Sequence, residues 1–366
     1  MQTYPIPMVP GPTSVCPEVL EAYQTDFGSS DFEPEFLALY NHVEAQLQKV
    51  FATSNSVVTM TGEGMIVLWS ALKSCIKPWE RVLAIGTGLF GFGIGEMAQS
   101  IGAEVQSVGF GYDQTINDWD RVEKAIIDFK PKMITVIHCE TPSGTLNPLV
   151  ELGELKRKHG VPLLYVDAVA SLGGAPLLTD EWQIDLCLGG AQKAISVPAG
   201  TSFLTVSPRA WEIVEQVAYP GYDALLPFRT AQRDFYFPYT PYWHGLAALS
   251  KGLELLLAEG LQSSFNRHAE TAGYCRQRLV EAGLELYPAA DAIPSPTVTA
   301  VKVPRHIPWS ELNRRFRQHG LVVGGNYGPL AGKVFRIGHM GTQAQMSLVA
   351  KAMDVIEEVM KEGGNA

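Results

Sequence analysis

Between residues 36 and 50 the apolar positions Phe36, Leu39, Tyr40, Val43, Leu47 and Val50 recur three and four apart, the spacing of one helix face, with Pro34 suited to its first turn. Beyond residue 56, short apolar or β-branched runs alternate with helical stretches. The runs 56–60, 81–85, 104–110, 133–139, 161–166, 186–188 and 203–206 read as strands. The stretch 65–72 is apolar nearly all round and reads as a buried helix, 119–129 as an amphipathic one. Repeated strand–helix units predict an α/β fold with a largely parallel sheet covered on both faces. Near residue 260 the pattern changes. The segments 247–258 and 265–281 read as long helices and 297–303 and 334–337 as short strands. Between those strands a helix carries Trp309, Leu312 and Phe316 on one face and ends at Gly320. The pattern therefore gives a large domain over 16–260 and a smaller C-terminal α+β domain over 261–366. An arm over 1–15 precedes them, in which Pro5, Pro7, Pro10 and Pro12 exclude helix and central strand. Such an arm either lies across its own domain or reaches a second subunit.

Composition narrows the function classes. A chain of 366 residues, 46% hydrophobic and 18% charged, exceeds the ~250–300 at which a single core stops growing, so two domains are expected. A formal charge of −10 with no basic run argues against a nucleic-acid partner. No apolar run reaches transmembrane length, and the start is too rich in proline for a signal peptide, so no membrane association is expected. The five cysteines form no Cys-x-x-Cys pair and read as reduced thiols of a cytoplasmic protein.

Four places carry candidate chemistry. Lys193 follows the run 186–188 and a glycine turn, at the strand edge where open α/β sheets keep ligand crevices. Burial disfavours its ammonium, and a partly neutral amine is what a Schiff-base lysine requires; a plain surface lysine is the alternative. Asp167 ends the apolar run before it, as a helix N-cap or as a carboxylate that keeps a pyridine nitrogen protonated. The turn Thr61-Gly-Glu-Gly-Met65 lets backbone approach a ligand and opens a helix whose free N–H groups attract anions. Arg336, inside an apolar run, suits a fork to a substrate carboxylate or an internal salt bridge. Gly86-Thr-Gly-Leu-Phe-Gly91 formally matches a dinucleotide fingerprint but lacks the acidic residue expected ~20 positions on.

These residues carry a resemblance. Val9-Pro-Gly-Pro-Thr13, Glu140-Thr-Pro-Ser-Gly144, Val166-Asp-Ala-Val-Ala-Ser-Leu-Gly-Gly174, Gly190-Ala-Gln-Lys-Ala194 and Arg336-Ile-Gly-His-Met-Gly341 occur in the order of the class V, fold type I pyridoxal-phosphate aminotransferases. The chain most resembles their alanine–glyoxylate and serine–glyoxylate group. The resemblance implies a ping-pong aminotransferase, moving an amino group from alanine or serine to glyoxylate or pyruvate through an aldimine on Lys193. It implies that Asp167 faces the pyridine nitrogen, Phe90 stacks on the ring, and Thr141 bonds near the phenolic oxygen. Glu63, Gly64, Met65 and Gln192 fall at phosphate-contact positions, and Arg336 at that of the carboxylate-binding arginine. It further implies a homodimer with active sites at the interface, Thr240 coming from the neighbouring subunit.

The chain departs from the pattern in three places. Gly28-Ser-Ser30 stands where many members have Gly-His-Arg. Phe237 replaces a phosphate-binding tyrosine, with Tyr236 or Tyr239 available to compensate. Glu63 replaces a small hydroxyl residue; its side chain is expected to point away while glycine-flanked backbone and Gln192 hold the phosphate. The alternative is a pyridoxamine–pyruvate aminotransferase, which Gly62-Glu63 and Phe237-Pro-Tyr-Thr240 resemble, although Tyr327 stands where that group carries a second arginine. A cysteine desulfurase needs a nucleophilic cysteine on a C-terminal loop, and the last cysteine is Cys275. A catalytically dead scaffold is opposed by Lys193, Asp167 and Arg336 together.

Overall fold

A computed structural model describes residues 4–363, so the outer ends of the expected arm and C-terminal domain lie outside the described residues. In chain order the strands are β1 (Ile6–Met8), β2 (Ser56–Thr61), β3 (Arg81–Gly86), β4 (Glu104–Gly109), β5 (Met133–Ile137), β6 (Cys139–Glu140) and β7 (Thr145–Leu146). They continue as β8 (Leu163–Asp167), β9 (Leu186–Gly190), β10 (Thr201–Val206), β11 (Val298–Lys302), β12 (Leu321–Val323) and β13 (Val334–Gly338). Seven of them form one sheet in the order β2-β10-β9-β8-β5-β3-β4. Every residue of β5, β9 and β10 is buried, as a sheet covered on both faces demands. β10 alone runs against its neighbours β2 and β9. Alternation along one strand does not encode its direction, so this reversal was not foreseen.

Because the other six strands run one way, the C-terminal ends of β2, β3, β5, β8 and β9 meet at a single edge of the sheet. That edge is where the turns between strand and helix deliver their side chains. The run 133–139 does not continue as one strand: β5 stops at Ile137, the His138 N–H bonds the Asp167 carbonyl, and β6 turns off into a hairpin with β7. The buried helix extends over Gly64–Cys75. The two long helices span Trp243–Glu259 and Leu261–Glu281, meeting at Gly260, whose φ of +86° glycine adopts without strain.

A second apolar core holds Leu279, Leu312, Phe316, Phe335 and Ile356, and Ile6 and Met8 of the arm belong to it. The arm is thus not a loose strap. β1 pairs in parallel with β12, Ile6 opposite Leu321 and Met8 opposite Val323. A two-stranded sheet has open edges, so Pro5 and Pro7 are tolerated there.

Candidate active site

Lys193 lies just past the end of β9, inside a cavity of about 430 Å³ formed between the strand ends and residues 309–336. Its Nζ donates to the Pro10 carbonyl at 2.6 Å. Burial, and next the Arg336 charge, hold its amine below the usual lysine range, so it loses its proton more readily than an exposed lysine. The arm clamps this loop: Thr13 Oγ1 donates to the Lys193 carbonyl at 3.0 Å, and Gly11 lies so close that a Cβ there would stand 2.6 Å from Nζ. Asp167, the last residue of β8, opens on the same cavity while walled in by protein. Its Oδ1 accepts the Val169 N–H at 2.9 Å, and burial pushes its carboxyl up to about 6. A cation placed against Asp167 would pull that value down and take a short, charge-assisted bond.

Arg336 is 4% exposed, in the middle of β13. Its backbone pairs with Gly324, its Nε donates to the Gly325 carbonyl at 2.8 Å, and its guanidinium lies 4.8 Å from the Tyr327 ring. Among the described residues it has no ion pair, and besides the Gly325 carbonyl its side-chain partner is Tyr327.

Phe90 and Thr141 line the cavity as expected, Phe90 at the start of the helix Leu89–Ser100. What holds Phe90 is Glu140, fully buried, whose two carboxylate oxygens accept the N–H groups of Phe90 and Gly91, each at 3.0 Å. Burial pushes that carboxyl up to about 7. With the folded value above the ordinary 4.5, the stabilising difference is full below about 4.5 and disappears as pH rises through about 7. Glu140→Gln in cofactor-free protein should therefore flatten the pH dependence of the unfolding free energy between those limits by up to about 3 kcal/mol, less what relaxation recovers. It should also cost about 1 kcal/mol for one lost N–H bond. Denaturant unfolding from pH 4.5 to 8 measures this; parallel curves for wild type and variant would show that Glu140 titrates normally.

Glu63 corrects an expectation. Its carboxylate does not turn away: Oε1 accepts the Met65 N–H at 3.0 Å, so it caps the helix Gly64–Cys75 and takes one of the donors an anion would use. The cause is local, because Glu63 is extended (φ −85°, ψ 174°) at the position just before the helix, from which a side-chain oxygen reaches the first turn. Its charge is felt at both Asp167 and Lys193. Gln192 lines the same wall with Gly64 and Met65, and its buried Oε1 has no donor among the described residues.

The structure does not bring Tyr239 and Thr240 into this chain's cavity. Tyr239 OH accepts the Thr61 N–H at 3.1 Å, and Thr240 Oγ1 donates to Asp31 at 3.1 Å. Phe237 is buried against Phe36 and Tyr40. The residues missed by sequence reasoning are Val169, Trp309 and Asn326 on the cavity wall, Pro10 at the lysine, and Glu140 behind Phe90. Val169 had a signal in its spacing, two positions after Asp167. Asn326 had none, since its bond to the Pro142 carbonyl spans 184 positions.

Residues 9–332 match the family described as Aminotransferase class-V. The pyridoxamine–pyruvate transaminase of Mesorhizobium japonicum is 31% identical over 98% of this chain and 92% of its own length. The alanine–glyoxylate aminotransferase of Oryctolagus cuniculus is 31% identical over 96% and 91%. The crystal structure of ureidoglycine–glyoxylate aminotransferase from Bacillus subtilis superposes with a TM-score of 0.95 at 30% identity, covering 100% of this chain and 95% of that one.

Proposed function

The chain belongs to the class-V aminotransferases, with their fold type I architecture, and from that premise we propose that Lys193, Asp167 and Arg336 carry transfer of an amino group from a small amino acid to a short 2-oxo acid. The observation that carries this is a lysine with a depressed pKa, a buried carboxylate and an arginine without an ion pair on one cavity. The residues present suit the pyridine ring of pyridoxal 5′-phosphate, the group general to the family. Asp167 matches a pyridine N–H, and Gly11, Gly64 and Gly324 leave the walls free of side chains. When bound, that group draws off the electron pair left at the substrate Cα.

The chain's own part is proton transfer and orientation. Arg336 takes the substrate carboxylate in a fork and so turns the Cα–H toward Lys193. Lys193 would take the proton from the substrate Cα on Nζ and hold it there for return. Asp167 keeps the ring-nitrogen proton in place. Phe90, Val169, Trp309, Asn326 and Tyr327 complete the cavity walls. Alanine or serine as donor and glyoxylate or pyruvate as acceptor each carry one carboxylate, which the one guanidinium on the cavity matches. An absorbance change on adding L-alanine or L-serine, reversed by glyoxylate, is the expected result; an inert spectrum with every small amino acid would sink the reading.

A second reading shares this machinery and is favoured by Glu63. The helix N-terminus that would bind phosphate already holds a carboxylate, and the Gln192 oxygen lacks a donor. A hydroxymethyl group can donate its one O–H to either of them, whereas a phosphate dianion is repelled by the first and has no proton for the second. Pyridoxamine then becomes the amino donor and pyruvate the acceptor. Apo-protein is expected to bind pyridoxal at least about tenfold more tightly than its phosphate ester, and Glu63→Ser to reverse the order. Fluorescence titration with each compound measures this, and the opposite order in wild type returns the phosphate ester to the site.

Met65 and Ile66, 43% and 42% exposed beside the cavity, and Tyr236, 73% exposed, support a homodimer that covers them and places the partner subunit's Thr240 at the cavity mouth. The free thiols support a cytoplasmic location. Among the described residues no helix is long and apolar enough to cross a membrane.

A further inference from the structure

Arg276 is the second arginine whose guanidinium burial pushes below its ordinary value, and like Arg336 it has no ion pair among the described residues. It lies on the helix Leu261–Glu281, away from the catalytic cavity, and its one bond there runs from Nη1 to the Ser295 carbonyl at 3.0 Å. It faces a separate cleft of about 570 Å³ whose walls include Val280, Leu286, Pro288, Ala292, Val298 and Ala300. The carboxylate at that cleft, Glu281, is engaged by Gln277 Nε2 at 2.8 Å.

A guanidinium offers five donors in a planar fork, and partial desolvation without a counter-charge is costly. The helix could have carried an apolar residue here at lower cost, or a carboxylate could have been placed opposite, and neither is the case. The volume falls in the range of small-molecule sites, ~300–1,000 Å³. One cation, with the Glu281 carboxylate at the same cleft and mostly apolar walls between, selects a ligand of no more than one negative charge: a dicarboxylate or a phosphate would add charge that nothing there matches. We propose that this cleft is a second binding site, for a small aliphatic monocarboxylate held by Arg276 with its carbon chain on the apolar walls. The cleft also borders Gly144, which ends the turn that carries Thr141 into the catalytic cavity. That turn is tightly packed, since a Cβ on Gly144 would stand 2.8 Å from the Ala300 nitrogen. The two cavities thus share one tightly packed turn.

Isovalerate is the probe, because it has neither an amino nor an oxo group to react. It can also enter the catalytic cavity through Arg336, so calorimetry is done on Arg336→Gln. Expected is one isovalerate per chain, weakened at least about tenfold when Arg276→Gln is added, and much weaker binding of succinate. Ala292→Phe, which keeps the guanidinium and fills the cleft, should lose the site as well. No binding to Arg336→Gln at millimolar isovalerate, or binding indifferent to both cleft substitutions, overturns the proposal. Where the variants fail to fold, wild type decides: isovalerate should protect Arg276 from phenylglyoxal, read residue by residue in a mass spectrometer, and unchanged labelling overturns it.

Discussion

Replacing Lys193 by alanine is expected to lower transamination on the order of 10⁴-fold, the upper range for a positioned acid–base group, while the protein stays folded. The loss is chemical. The Nζ–Pro10 bond is the only one that the side chain makes among the described residues, and its removal costs about 1 kcal/mol, little of which survives because burial already opposes the charged amine. Two measurements separate this from a structural defect. After borohydride reduction the pyridoxyl mass should sit on Lys193 in wild type and on no lysine in the variant. Added methylamine, a free amine that fits the vacated space, should restore part of the single-turnover rate. An adduct on another lysine, or a variant within tenfold of wild type, removes Lys193 from the reaction.

Arg336→Lys keeps a positive charge and loses the fork, so kcat/KM should fall about 10- to 1,000-fold, from ~1.5–3 kcal/mol per charge-assisted bond. The geometry makes the substitution more severe than its charge suggests. Arg336 is aimed by its Nε bond to Gly325 and by the Tyr327 ring 4.8 Å away, and one compact ammonium cannot keep both contacts and still reach two carboxylate oxygens in a planar fork. Affinity for the pyridoxal group should be unchanged, because Arg336 sits on β13, beyond the strand ends that carry Asp167 and Lys193. Wild-type kinetics in this variant would make the arginine structural.

The sheet and its edge were legible because fully buried parallel strands leave apolar runs, and because Asp167 and Lys193 end two of them. The direction of β10 was not legible, since the whole strand is buried and no short turn links it to its neighbours. At the site, residues bound to motifs were found: Lys193, Asp167, Phe90, Thr141 and Arg336 all reach one cavity. Glu63 was expected to turn away because glycine-flanked backbone and Gln192 could hold a phosphate without it; the free N–H groups of the helix start draw its carboxylate back instead. Pro10 escaped because its prolines explained its neighbourhood without reference to the lysine 183 positions away.

The arm also sets an order on folding during synthesis. Ile6 and Met8 leave the ribosome early, but their partners on β12 follow more than 300 residues later, and Val9 accepts a bond from Gln343, 334 positions away. Contacts of that separation form slowly, and residues 6–9 must wait unpaired while the seven-stranded sheet condenses without them. Thr13 has its partners once residues 192–196 are in place, whereas residues 6–9 gain theirs only when the segment around β12 and β13 has emerged. A chain stalled before residue 321 therefore lacks the walls that Gly324, Asn326, Tyr327 and Arg336 give the pocket.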